Sequence, residues 1–188
     1  IEDPSATIDE IVSIIKGPDF PTGGKIVNPV EMRKAYKTGK GRIVVRGKAR
    51  VEEKNGKKKI VIYEIPYLVN KSEMIKKIAE LVKGKKIEGI TNIRDESDRS
   101  GIRIVVDVNL NPEFVLNQLY KHTDLEKTIS FVMLAIVNNV PRLMNIKQII
   151  EEFIKHRVDV ITRRTQFELK KARERLHVVE AFVKATSK

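Results

Sequence analysis

Residues 37–66 read KTGKGRIVVRGKARVEEKNGKKKIVIYEIP, and the pattern in this stretch predicts the centre of the fold. A glycine-broken turn leads into alternating basic and apolar residues, and a period of two is typical of a β-strand with one buried face. Asn55-Gly56 is a strong signal for a tight turn, and Pro66 ends the returning segment. We therefore expect a hairpin with one strand over 42–53 and a second over 59–65.

The first strand of this hairpin has a cationic face. Alternation places its basic residues on one side, interrupted only by Val44, and its small and aliphatic residues on the other. Gly39 and Gly41 at its start leave room for backbone to approach a phosphate closely. The face is a candidate polyanion-binding surface, although lysines that blunt a sheet edge would give a similar pattern. The candidate binding residues are Lys37, Lys40, Arg42, Arg46, Lys48 and Arg50.

The composition favours a folded protein that binds an anionic macromolecule. The chain has 188 residues, a formal net charge of +12 and 41% hydrophobic residues, which is too apolar for a disordered chain. Such a charge favours nucleic acid first, and an anionic membrane or an acidic protein second. No apolar run approaches the roughly 20 residues that cross a bilayer, so we expect no membrane partner. The absence of cysteine excludes disulfides and thiolate metal sites and fits a cytoplasmic protein.

The order of elements around the hairpin predicts the fold class. Helices are predicted over 7–15, 72–82 and 112–120, and further strands over 87–93 and 102–108. This order indicates an α+β fold, with a mainly antiparallel sheet and helices on one face. The segment 17–24 is rich in glycine and proline and is expected to be a connector. A strand over 128–137, ended by Pro141, is expected to leave the sheet.

The C-terminal segment predicts one long helix. No proline or glycine occurs from Asn145 to Lys188, and apolar residues recur there at spacings of three, four and seven. The helix would be about 60 Å long and needs a partner helix to bury its stripe. We expect three parts: a short helix and connector over 1–24, an α+β domain over 25–143, and the first arm of a coiled coil over 144–188. Since the chain starts at Ile1 and ends inside this helix, we expect a piece of a longer protein.

The sequence predicts no catalytic residue and no metal ligand. Asp95, Glu96 and Asp98 form the tightest acidic cluster, and three acids at this spacing are able to hold magnesium. Arg94 and Arg99 flank them, which favours a self-neutralising surface loop. No phosphate-binding loop of the form GxxxxGK[ST] is present.

Six stretches, in order and over nearly the whole chain, resemble the A subunit of bacterial type IIA DNA topoisomerases, the family of DNA gyrase and topoisomerase IV. They are GPDFPTGG (17–24), AYKTGKGRIVVRGKA (35–49), EIPYLVNKSEMIKKIAELV (64–82), EGITNIRDESDRSGIRIVVDV (88–108), LYKHTDLEKTISFVML (119–134) and FIKHRVDVITRRTQFELKKARERLHVVEA (153–181).

The resemblance implies the tower domain of such a protein, followed by the first arm of its coiled coil. It implies a parent isomerase that uses ATP to pass one duplex through a double-strand break in another. The catalytic tyrosine of the family lies before Ile1 and no tyrosine here matches its motif, so this chain alone is expected to be inactive. The resemblance also implies magnesium and ATP on a partner B subunit, no cofactor in this chain, and a heterotetramer of two A and two B subunits.

For the chain itself, the resemblance implies a platform that supports and bends the gate DNA duplex. The six basic residues of the first strand and its turn are then expected to contact phosphates on the flanks of the cleavage site. An RNA-binding structural protein of ribosomal type is the alternative, favoured by the basic strand and the small α+β fold; the long helix argues against it. A third hypothesis is an independent enzyme that uses Asp95 and Asp98 with a metal.

Overall fold

The computed structural model describes residues 3–54 and 56–187. It confirms an α+β fold with antiparallel sheets and a long C-terminal helix. In chain order the elements are α1 (Ile8–Ile14), β1 (Lys25–Ile26), α2 (Pro29–Thr38), β2 (Lys40–Arg46), β3 (Lys48–Lys54), β4 (Lys57–Glu64), α3 (Lys71–Lys83), β5 (Ile90–Asp95), β6 (Ile104–Val108), α4 (Pro112–His122), β7 (Glu126–Val132), β8 (Leu134–Val137), β9 (Val140–Leu143) and α5 (Ile146–Thr186).

The strand predicted over 42–53 is two strands that belong to different sheets. β2 lies in a three-stranded sheet of order β1-β2-β7, and β3 lies in a four-stranded sheet of order β3-β4-β6-β5. The change occurs at Gly47, whose N–H donates to the carbonyl of Leu125 at 2.8 Å. A Cβ at this position would lie 2.6 Å from the carbonyl oxygen of Glu64, so a side chain does not fit. The alternation predicted the strands correctly, but it did not reveal this crossing of the chain between sheets.

The four-stranded sheet carries α3 and α4 on one face, as the sequence predicted. Its core contains Ile60 and Ile62 of β4, Ile104 and Val106 of β6, and the inward residues of the helices. Those helix residues are Met74, Ile78, Val115 and Leu119. The helices begin at side-chain caps, with Asn70 and Asn111 each accepting from backbone N–H groups of the first turn. The helix layer is therefore specified by local signals as well as by apolar spacing.

The three-stranded sheet packs on α1 and α2 through a second core. Its buried residues are Val12, Met32, Ala35, Tyr36, Ile43 and Val45. A capping box is present at the start of α1, with Thr7 and Glu10 bonding each other's backbone N–H. At the end of α2, Gly39 adopts φ 80° and turns the chain directly into β2.

The segment predicted as one strand over 128–137 breaks at Met133 into β7 and β8. The Met133 N–H donates to the carbonyl of Gly39 at 2.7 Å, in line with the β2–β7 ladder, while its carbonyl accepts from the Met144 N–H at 3.0 Å. β8 then pairs with β9 across a turn in which Asn138 and Asn139 both have positive φ, a geometry that asparagine tolerates. Pro141 does not end this strand as predicted: it lies within β9, opposite Ile136.

α5 confirms the predicted long helix, with 41 residues that begin after the N-cap Asn145. Asn145 and Gln148 form a second capping box. Its first turn packs on the second core through Ile146, but no residue along α5 is buried. Phe153, Phe167 and Phe182 are all more than half exposed. Among the described residues, no helix is long and apolar enough to cross a membrane.

Candidate nucleic-acid interface

The candidate interface lies on the outer face of the three-stranded sheet, which we call the β2 face. Ile43 and Val45 point into the second core and are fully buried, so the alternate residues of β2 point outward. The register of β2 with β7 places Ser130 opposite Arg42 and Thr128 opposite Val44. The β2 face consists of Lys40, Arg42, Val44 and Arg46 of β2 and of Glu126, Thr128, Ser130 and Val132 of β7.

Lys40 and Arg42 are the cations of this face that remain available to a ligand. Both are exposed, and neither has an ion-pair partner within residues 3–54 and 56–187. The backbone that carries them is held by Asn28, whose Nδ2 donates to the Arg42 carbonyl at 3.1 Å while its Oδ1 accepts from the Val44 N–H at 2.7 Å. The backbone of these two residues is therefore held in place, and their charges have no counterion in the described part of the chain.

The other four predicted binding residues form ion pairs with acids of the chain. Lys37 Nζ lies 2.7 Å from Asp9 Oδ1, and Lys48 Nζ lies 3.0 Å from Glu64 Oε2. Arg50 Nη2 lies 2.9 Å from Glu52 Oε1, and Arg46 pairs with Glu126 across the β2–β7 ladder. In each of these four residues the positive charge is paired with an acid of the same chain, although all four side chains remain partly exposed to solvent.

Arg46 also packs on an aromatic ring. Its guanidinium carbon lies 4.8 Å from the centroid of the Tyr120 ring of α4, which is a favourable cation–π distance. The Tyr120 hydroxyl in turn donates to the carbonyl of Gly47 at 3.1 Å. Arg46 therefore links β2, β7 and α4 at the junction of the two sheets, which is a structural role.

Lys48 belongs to a similar structural contact. The Gly24 N–H donates to Glu64 Oε2 at 2.6 Å and chiefly holds the pKa of this carboxyl below its usual value, with Lys48 adding to the effect. This arrangement fixes the glycine-rich connector to the end of β4. Glu64 thus serves both Lys48 and the connector.

The structure brings to the β2 face residues that the sequence analysis did not select. Thr128 and Ser130 add exposed hydroxyls beside Arg42, and Lys25 of β1 lies opposite Arg46. The basic character of Lys25 was visible in the sequence. The position of Lys25 opposite Arg46 could not be predicted from the sequence, because the pairing of β1 and β7 with β2 is set by contacts between distant segments.

The acids of the β5–β6 loop are engaged in contacts within the chain. Asp95 Oδ2 lies 2.7 Å from Lys71 Nζ, which with the Ser97 hydroxyl lowers the pKa of this carboxyl to about 2. Glu96 pairs with both Arg94 and Arg103, and Asp98 accepts from Ser100. Each carboxylate already has internal donors, and no group of three or more metal-ligating side chains occurs in the described part of the chain.

Comparison with known proteins identifies the family of this chain. Residues 1–188 match the family described as the A subunit of DNA gyrase/topoisomerase IV. The chain is 52% identical to the DNA gyrase A subunit of Clostridium acetobutylicum, over 96% of this chain and 22% of that protein. It is 50% identical to the DNA gyrase A subunit of Neisseria gonorrhoeae, over 96% of this chain and 20% of that protein.

A third relative carries the other name of the family. The DNA topoisomerase 4 A subunit of Bacillus subtilis is 47% identical over 100% of this chain and 24% of that protein. The chain thus spans between a fifth and a quarter of the length of the relatives that it matches.

Proposed function

Since this chain belongs to the family of DNA gyrase and topoisomerase IV A subunits, we propose that it is the part of such a protein that holds a DNA duplex by its phosphates beside the cleavage site. The contact surface is the β2 face, centred on Lys40 and Arg42. Phosphate contacts of this kind fix the position of a duplex without reading its sequence.

One observation carries the proposal: Lys40 and Arg42 lack counterions in the described chain, whereas the other four predicted binding residues are paired with acids. A cation that has no acid nearby loses little on binding a phosphate, because it gives up no ion pair to do so. The exposed hydroxyls of Thr128 and Ser130 lie across from Val44 and Arg42, and such groups are common phosphate donors. Glu126, the acid of this face, is neutralised by Arg46.

The proposed contact supports bending of the duplex. Smoothly bending a site of 20–30 base pairs costs on the order of several kcal/mol. Backbone contacts on the flanks offset that cost and release counterions. The β2 face, held on a strand that is buried on its other side, gives those contacts a fixed position.

For the whole protein we propose the activity that the names of its relatives indicate. The parent is an ATP-dependent type II DNA topoisomerase, an isomerase that works with a second A subunit and with B subunits. Magnesium and ATP are bound by the B subunits, and the tyrosine that breaks DNA lies outside this chain. The engaged carboxylates of the β5–β6 loop support a structural role for the acids of this segment.

The test compares two double variants with equal loss of charge. Lys40→Gln/Arg42→Gln removes the available cations of the β2 face. Lys77→Gln/Arg99→Gln is the control, since both residues are exposed and have no acidic partner in the described chain. With a duplex of about 30 base pairs, the first variant should reduce the slope of log K against log salt by about 1.8, and affinity by at least about tenfold.

Two outcomes would contradict the proposal. Equal losses in both variants would mean that only the net charge matters. Tighter binding of an RNA duplex of the same length would favour the RNA-binding alternative, since a ribosomal-type protein should prefer A-form geometry.

A further inference from the structure

A second set of unpaired cations lies at one end of the four-stranded sheet, away from the β2 face. We call it the lysine end. All of its members are exposed, and none has an ion-pair partner within the described residues. They are Lys57, Lys58, Lys83, Lys85 and Lys86.

The topology brings two loops together to form the lysine end. β4 begins and β6 ends there, since Lys59 lies opposite Asp107. β5 begins at the same end, with Ile90 opposite Val108. The Asn109 N–H donates to the Gly89 carbonyl at 3.0 Å and joins the segment after α3 to the end of β6. The β3–β4 turn and the α3–β5 loop therefore present their lysines on the same side of the domain.

The opposite end of the same sheet is neutralised by ion pairs. There Lys48 pairs with Glu64, Lys71 with Asp95, and Arg103 with Glu96. Toward the lysine end, Asp107 pairs with Arg94 and Glu52 pairs with Arg103, whereas the five lysines stay unpaired within the described residues. Glu53, Glu80 and Glu88 are the exposed acids nearest to the lysine end in sequence, and the lysines outnumber them.

Lys85 gives a second, independent observation. α3 ends at Lys83 and Gly84 is its C-cap, but Gly84 has φ −78° and Lys85 has φ 51°. The left-handed position is therefore occupied by a lysine, although a glycine without that strain lies directly before it. A strained residue that the fold retains at an exposed position points to a use for its side chain.

Structural explanations account for only part of this arrangement. Lys83 lies in the last turn of α3 and complements the negative end of the helix dipole. β4 is an interior strand, but its pairing with β6 begins at Lys59, so Lys57 and Lys58 lie where β4 pairs with β3 alone and also serve to protect that edge. Lys85 and Lys86 lie beyond the last turn of α3, where the helix dipole has little effect.

We propose that the lysine end is a second phosphate-contact surface, which holds the same duplex farther from the cleavage site than the β2 face does. The inference rests on the proposed function, because it concerns a longer part of the same ligand. Arg42 and the end of β3 are separated by twelve residue steps of backbone, at most about 40 Å, which corresponds to about 12 base pairs. A duplex longer than that is therefore long enough to contact both surfaces.

The experiment measures how affinity depends on duplex length. The variant Lys57→Gln/Lys58→Gln/Lys86→Gln removes three charges from the lysine end and leaves the strained Lys85 in place. The control, Lys76→Gln/Lys77→Gln/Lys121→Gln, removes three charges from the helix layer of the same domain. Binding of the wild-type chain and both variants is measured by fluorescence anisotropy with duplexes of about 10 and about 30 base pairs.

The gain in affinity is the ratio of the affinity for the long duplex to that for the short one. We expect this gain to fall by at least about tenfold in the lysine-end variant. The slope of log K against log salt for the long duplex should be reduced by about 2.7. The control should keep the wild-type gain. Equal gains in both variants would overturn the inference, as would loss of binding to polyglutamate without loss of binding to DNA, which would indicate an acidic protein partner.

The two proposals fail separately. If Lys40→Gln/Arg42→Gln weakens binding to both duplexes while the lysine-end variant matches its control, the β2 face stands and the lysine end does not. If the reverse occurs, the lysine end stands and the β2 face does not. Should the triple variant lose its circular dichroism spectrum, Lys58→Glu alone provides the same comparison, because that exposed side chain makes no hydrogen bond or ion pair in the described chain.

Discussion

Arg42 and Arg46 lie four residues apart on the same strand face, yet their surroundings differ. Arg42 is exposed and has no acidic partner in the described chain. Arg46 pairs with Glu126 and stacks on Tyr120, so its guanidinium group is engaged in contacts within the chain. Residue type alone does not show which basic residues are paired within the chain, whereas the structure does.

The two arginines should respond differently to substitution. Arg46→Gln is expected to lower the free energy of unfolding by about 1 kcal/mol, because a half-exposed ion pair and a cation–π contact are both lost. Arg42→Gln should change it by less than about 0.5 kcal/mol. Urea denaturation of both variants measures the difference, and equal midpoints would contradict the structural role of Arg46.

Gly47 is expected to be intolerant of any side chain. A Cβ there would approach the Glu64 carbonyl oxygen to 2.6 Å and Leu125 Cδ1 to 2.7 Å. Gly47→Ala should therefore destabilise the fold by about 2 kcal/mol through overpacking. A denaturation midpoint equal to that of the wild type would show that the junction between the sheets is looser than these distances indicate.

Among the secondary-structure elements, the contact between α3 and β5 depends on pH. The pKa of Asp95 lies at about 2, below its usual value of 3.8, chiefly because of Lys71 and then Ser97. A carboxyl whose pKa is lowered in the folded state stabilises the fold above the unfolded pKa, and this contribution is lost as pH falls toward the folded pKa.

Asp95→Asn should therefore flatten the dependence of stability on pH between about 4 and 2. Urea midpoints measured across that window, for the variant and the wild type, provide the test. Parallel curves for the two proteins would contradict the assignment.

α5 should become less protected along its length. Its first turn is capped by Asn145 and packs on the second core through Ile146, but the rest of the helix has no buried residue. A long helix without packing is only marginally stable in water. Amide exchange should be slow near Ile146 and fast beyond about Phe153. Uniform protection over 146–186 would mean that copies of the chain pair through this helix.

The end of α3 should be stabilised by removing its strain. Lys85→Gly is expected to raise the free energy of unfolding by about 0.5 kcal/mol, since a lysine at positive φ costs more than the added chain entropy of glycine. The matched variant Lys86→Gly, where φ is not positive, should lower it. Thermal denaturation of the pair checks the sign.

For the molecule as a whole, local sequence signals predicted the helices and strands. Contacts between distant segments determined where the chain passes between sheets and which charges are paired. Alternation in β2, the capping box of Thr7 and Glu10, and the unbroken helix after Asn145 all follow from neighbouring residues. The break at Gly47 depends on Glu64 and Leu125, which lie far away in sequence. Arg46 and its partner Glu126 are 80 positions apart in the sequence. The sequence therefore could not show which cations of the β2 face are paired and which are available.

The single-residue link at Gly47 has a consequence for DNA geometry. One glycine joins β2 to β3, and hydrogen bonds to both of its backbone groups hold it in place. The two sheets therefore cannot swivel about a flexible loop, and any duplex that contacts both must follow their mutual orientation. On the proposed function, the protein acts as a rigid template for the duplex. Loss of a lysine should change the fraction of duplex that is bound. The bend angle of the bound duplex should stay the same, because the backbone at Gly47 fixes the orientation of the two sheets.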